Sequence, residues 1–111
     1  MLSTEEVLRF FLPSFLFDYF EVEKLSENAD RLDVYLGEKK LMPDDSLVSY
    51  GFTDYSVVQD FPIKGRAVYL HLRRRKWQNP STGEIITRKF DIAYDGTRLT
   101  KGFVAFLKAT N

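Results

Sequence analysis

Four consecutive cations, Arg73-Arg74-Arg75-Lys76, stand between His71 and Trp77 in the segment Leu70-His71-Leu72-Arg73-Arg74-Arg75-Lys76-Trp77. Residue types of this kind bind polyanions. Guanidinium groups pair with phosphate oxygens through two parallel hydrogen bonds, and aromatic rings stack on bases or sugars. Read as a strand over 66–77, the segment sorts into two faces, because successive side chains point to opposite sides. Val68, Leu70 and Leu72 share one face, which looks like core and continues beyond its apolar part into Arg74 and Lys76. Tyr69, His71, Arg73, Arg75 and Trp77 share the other, where rings alternate with cations. Arg66 opens the same strand, and Arg88 and Lys89 extend the positive zone across the following turn. The competing reading is a solvated, twisted hairpin whose arginines block edge pairing, with Trp77 packed inside it.

The charge is divided along the chain. Residues 1–60 hold five Lys and Arg against thirteen Asp and Glu, a balance of −8, and residues 61–111 hold eleven against three, a balance of +8. The formal net charge of +0 therefore conceals a basic half suited to a polyanion. The acidic half suits a basic partner or simple solvation.

Other chemistry has little to build on. There is no cysteine, hence no disulfide and no thiolate metal site, and one histidine, His71, cannot assemble a histidine-based metal site alone. No Gly-rich phosphate loop is present, nor a nucleophile with an evident base. Asp44-Asp45 and Asp91…Asp95 are carboxylate pairs, but they fall in predicted turns, where Asp serves the backbone. The sequence thus argues against an enzyme and implies neither cofactor nor metal. Residues 7–19 are the longest apolar stretch, too short for a membrane span and interrupted by Arg9, Pro13 and Asp18. With no basic leader at the N-terminus, a cytoplasmic location is expected.

The elements that must position the basic strand follow from punctuation and periodicity. At 111 residues and 44% hydrophobic content, one domain with a modest core is expected. Ser3 with Glu6 forms a capping-box pattern, so a helix should begin near Thr4, with Val7, Leu8, Phe11 and Leu12 as its stripe and Pro13 ending it or opening a second short helix over 14–17. The apolar run 7–20 reads as core, with a docking face as the alternative. Residues 19–25 and 32–36 alternate as a hairpin about Asn28. Residues 37–54 read as loop; 55–61, 66–77 and 84–92 read as strands, with 79–83 a turn. Asp95-Gly96-Thr97 closes the sheet, and Thr97 would cap a final helix to about Lys108. That helix has Leu99, Phe103, Phe106 and Leu107 on one face and Arg98, Lys101, Ala105 and Lys108 on the other. The sum is an α+β domain with an antiparallel sheet built from hairpins and a C-terminal amphipathic helix.

Residues 59–77, from Gln59-Asp60-Phe61-Pro62 through Gly65-Arg66-Ala67-Val68-Tyr69-Leu70-His71-Leu72 to Trp77, resemble the N-terminal region of bacterial insertion-sequence transposases that begin with a zinc ribbon. Asn79-Pro80, Gly96-Thr97-Arg98-Leu99-Thr100 and Phe20-Glu21-Val22 add to the similarity. The ribbon's cysteines would fall near 41–45 and 78–82, where this chain has none, so the resemblance is to a zinc-less ribbon held by packing. No catalytic domain with its acidic triad is expected within these 111 residues. The resemblance implies a separately made accessory domain that holds transposon-end DNA, expected to be double-stranded, through Arg66, Arg73, Arg74, Arg75, Lys76 and Arg98. The residue reading adds His71, Trp77, Arg88, Lys89, Lys101 and Lys108 to that footprint. The alternative is a protein-interaction subunit that docks a separately encoded catalytic transposase.

Overall fold

A computed structural model describes residues 4–92 and 98–109, without the side chains of Thr4, Phe106 and Ala109. The Ser3 cap, the turn at 95–97, Asp95, the Thr97 cap and the place of Phe106 on the last helix lie outside the described residues. The order is α1 (Thr4–Leu8), α2 (Leu16–Tyr19), β1 (Phe20–Glu27), β2 (Arg31–Glu38), β3 (Val48–Phe52), β4 (Ser56–Ile63), β5 (Arg66–Arg73), β6 (Arg75–Gln78), β7 (Ile85–Thr87) and α3 (Lys101–Ala109). This is the expected α+β class, rich in antiparallel hairpins.

Two sheets are present, a four-stranded one in the order β1-β2-β5-β4 and a three-stranded one in the order β3-β6-β7. Local chemistry explains the hairpins. Asn28 Oδ1 accepts hydrogen bonds from the backbone N–H of Asp30 and Arg31, closing the β1–β2 turn. Lys64 and Gly65 both have positive φ, 50° and 77°, which fits the two-residue turn that matches the twist of a hairpin. Asn79 repeats the Asx device before β7, accepting from Ser81 and Thr82 N–H.

Four features depart from the sequence expectations. First, β2 and β5 pair in parallel, Leu32 beside Val68 and Leu36 beside Leu72, so the four-stranded sheet is mixed. The excursion from Lys39 to Gly65 supplies the crossover that a parallel pair requires. Second, the basic strand is broken at Arg74: β5 belongs to the first sheet and β6 to the second. Third, 37–54 contains β3, and the strand expected over 84–92 is only three residues long, because Phe90 and Ile92 turn inward to the core. Fourth, Leu99 and Arg98 precede the last helix. Leu99 bridges β4 at Gln59, whose N–H donates to the Arg98 carbonyl at 2.7 Å. Thr100 caps α3, its hydroxyl accepting from Phe103 N–H at 3.2 Å and donating to buried Asp60 at 2.8 Å.

The alternation expected for 66–73 holds. Val68, Leu70 and Leu72 are buried with Val34, Leu36 and Val58, and Leu8, Leu12, Leu16 and Phe17 cover that face from the N-terminal segment. Each such fully buried side chain contributes on the order of 1.5–3 kcal/mol. The apolar run 7–20 is split between the two readings: half is core, while Val7, Phe10, Phe11, Phe15 and Tyr19 remain exposed. The molecule is flat, 51 × 37 × 20 Å.

Candidate nucleic-acid interface

On the open face of the first sheet, β5 presents Tyr69, His71 and Arg73, as the alternation required. Their partners come from the acidic half. Arg73 makes a two-pronged ion pair with Glu23 on β1, at 2.9 and 2.5 Å. The Glu23 carboxylate reaches it by lying across β2 at Gly37, where a Cβ would stand 2.6 Å from the carboxyl carbon. Tyr55 Oη donates a third bond to Glu23 at 2.8 Å, and the Arg73 guanidinium lies 4.0 Å from the Phe52 ring centroid. Arg73 is thereby held as a cation, and the Arg73 hydrogen bonds hold the Glu23 carboxyl below the usual carboxylate range.

His71 is engaged in the same way. Its Nε2 lies 2.7 Å from Asp33 Oδ1, and its ring stacks on Tyr35 at 4.2 Å. Arg31 grips the same carboxylate with two bonds, and this pairing, ahead of His71, lowers the Asp33 carboxyl. Arg66 pairs with Glu27 at 2.6 Å and Lys101 pairs with Asp91. The sequence reading left these cations open to a phosphate; the fold brings a carboxylate to each.

Past Arg74 the register of faces is set by the second sheet. Arg75 and Trp77 turn inward. Glu38, fully buried, accepts from the Arg75 N–H through its carboxylate and from Arg75 Nε through its carbonyl, both at 2.9 Å. Arg88 Nη1 reaches the same carboxylate at 3.4 Å, and its Nη2 donates to the Leu41 carbonyl at 3.0 Å. Trp77 is 0% exposed, so its ring offers no face to a base; the packed alternative is the one the fold adopts. The cause is the break at Arg74, which takes the strand into a new sheet and puts Trp77 beside Ile86 and Ser49.

The opposite face of β6 holds Lys76, with Arg74 just before the strand, both half-buried. Lys76 stands across from Thr87, and Arg74 donates to the Thr87 hydroxyl at 3.3 Å, so both cations share the face that Thr87 marks. Two residues on is the exposed Lys89. Neither Lys76 nor Lys89 has a carboxylate partner among the described residues. No strand of this sheet carries an acidic residue: β3 is VSYGF, β6 RKWQ and β7 IIT. Lys89 and Arg88 also line a groove of about 500 Å³ with Phe15, Tyr19, Phe90 and Asp91. Arg98 is exposed at the far edge of the first sheet, on the segment that flanks β4, and Lys108 is exposed on α3.

The fold therefore puts Arg74 and Lys76 together at Thr87, sets Arg88 and Lys89 on the segment just after β7, and disperses the rest of the predicted set. Phe15, Tyr19 and Phe90 join this zone without any local signal in the sequence, since only the docking of α2 against the segment after β7 puts them there. Among the described residues, no group of His, Asp and Glu is arranged to hold a metal ion, and no helix is long and apolar enough to cross a membrane. No family model matches the chain, and no match was found among curated proteins or solved structures.

Proposed function

We propose that this chain is a non-catalytic DNA-binding accessory domain of a transposase, acting in the cytoplasm and contacting duplex DNA through the β6–β7 hairpin. The supporting observation is the contrast between the two sheets. Carboxylates pair with His71, Arg66 and Arg73 on the first, while the three strands of the second hold none, and Arg74 and Lys76 lie on the face that Thr87 marks, with exposed Lys89 two residues further along the chain. A strand hairpin whose half-buried Arg74 and Lys76 are followed by an exposed lysine suits phosphate contacts, which position a protein on DNA without reading sequence.

The test is anisotropy of a labelled duplex across a salt series. Each phosphate neutralised contributes about 0.9 to the slope of log affinity against log salt. The double substitution Lys76→Gln/Lys89→Gln should reduce the slope by about 2 in a folded protein. An unchanged slope and affinity would refute the hairpin as the contact.

A second reading has its own support in the exposed apolar residues of the N-terminal segment, where Val7, Phe10 and Phe11 are 42%, 77% and 49% exposed. Such a ridge suits docking of a separately made catalytic subunit, and the two contacts are compatible on one domain.

A further inference from the structure

The groove beside the hairpin combines three aromatic rings with two cations and lies within the size range of small-ligand sites. Phe15 and Tyr19 are 39% and 38% exposed, large for rings that border a concave surface. Tyr19 meets Phe90 edge-on at 5.4 Å, and Phe90 is wedged against buried Phe20 at 4.8 Å, so the back of the groove is a fixed aromatic wall. Arg88 lies 5.3 Å from the Tyr19 centroid and is anchored by Glu38 and the Leu41 carbonyl, and the other lining cation, Lys89, is exposed. The one carboxylate among the lining residues, Asp91, pairs with Lys101 at the surface.

We infer that this groove binds an unpaired nucleotide of single-stranded DNA, with the base stacked on the Phe15 and Tyr19 rings and the adjoining phosphate on Lys89. The inference rests on the DNA reading above and deepens it. Fixed rings beside cations are the arrangement that holds single strands, because every base has a stacking face and the backbone supplies the charge. A duplex cannot use the groove, since its bases are stacked on one another; it would meet only the cations of the hairpin. The two surfaces meet at Arg88 and Lys89, so one strand leaving a duplex on the hairpin could enter the groove directly.

The experiment compares a labelled twelve-residue oligothymidylate with a blunt duplex of equal length, using the full chain and the variants Phe15→Ala and Lys89→Gln. Both positions are exposed, and matching thermal midpoints confirm folding. Phe15→Ala should weaken the single strand about tenfold, the loss expected for one stacked base, with duplex affinity changed less than about twofold. Lys89→Gln should lower the single-strand salt slope by about 0.7. Unchanged single-strand binding in both variants, or a Phe15→Ala loss that is equal on both DNAs, would overturn the groove assignment. Salt-dependent duplex binding without any oligothymidylate binding would overturn it too, while leaving the DNA reading intact. Absence of binding to either DNA would remove both.

Discussion

Arg73 and Lys76 are near neighbours in a run of like charges, yet the structure gives them opposite roles, and single substitutions should separate them. Arg73→Gln removes a two-pronged ion pair with Glu23 and a guanidinium 4.0 Å above Phe52. The two side chains of the pair are 31% and 24% exposed, so the interaction is discounted toward the value of a surface pair, about 1 kcal/mol. The ring contact adds about 0.5 kcal/mol. The total, about 1.5 kcal/mol, corresponds to a midpoint lowered by about 6 °C, given an unfolding entropy of about 2.1 cal/mol/K per residue. DNA binding should hardly change, because Glu23 already neutralises Arg73. Lys76→Gln should do the reverse: stability within about 0.5 kcal/mol of the parent, and a duplex salt slope reduced by about 0.9. Thermal unfolding by circular dichroism and the anisotropy series give the two readouts on the same samples. A lowered slope for Arg73→Gln with an unaltered midpoint would refute the neutralisation argument, as would a fall in midpoint for Lys76→Gln as large as that for Arg73→Gln.

Two further predictions concern the same carboxylates. Gly37→Ala would drive a methyl into the Glu23 carboxylate, 2.6 Å from the built Cβ, and should lose about 1 kcal/mol by displacing it from Arg73. In a Glu23→Ala background the same change should be neutral or slightly stabilising, so additive effects in a urea-denaturation cycle would contradict the crossing geometry. In acid, Glu23 and Asp33 have folded-state values held below the ordinary carboxylate range, by Arg73 and Arg31 respectively, so the unfolded chain binds protons first. Their stabilisation is therefore complete above the ordinary range, near pH 4, and is lost as pH falls through the lower folded-state values. Unfolding curves between pH 7 and 2 should show this decline, less steep in Asp33→Asn; stability that holds level or rises below pH 4 would be inconsistent with the pairing.

Much of the local structure was legible because it is written in adjacent residues. The alternation of Val68, Leu70 and Leu72 named the core face of β5, and Asn28, Gly65 and Asn79 named turns by their own side chains or backbone freedom. The parallel pairing of β2 with β5 had no such mark, since it joins segments more than thirty residues apart and depends on how the whole crossover packs. The break at Arg74 was equally silent: neither Gly nor Pro interrupts 66–77, and the strand changes sheets because Thr53 captures the Arg74 N–H at 3.0 Å while Glu38 captures the next one. This shift reversed the fate of Trp77. Of the candidate site, the contribution of Arg88 and Lys89 was readable as a cross-turn extension. The aromatic members were not, because Phe15 and Tyr19 belong to an apolar run whose exposed half cannot be told from its buried half by spacing alone.

The balance of −8 against +8 acquires a physical meaning from this topology. A polyanion competes for a guanidinium only where no internal carboxylate already holds it, because displacing one leaves a partly buried anion without its partner. The parallel pairing brings β5 into the acidic half, with Asp33 beside His71 and Glu23 reaching Arg73 across the one position in β2 that lacks a side chain. Opposite charges that look like two binding faces along the sequence are thereby spent on each other through the first sheet. Beyond Arg74 the strand pairs with two strands that hold no acidic residue, and Lys76 on its outer face has no carboxylate partner among the described residues. The DNA footprint should consequently be narrow, centred on Lys76 and Lys89, and its salt slope nearer 2 or 3 than the value of about 10 that eleven free cations would give. A slope near 10 would mean that DNA displaces the carboxylates, and the first sheet would then have to open its ion pairs on binding.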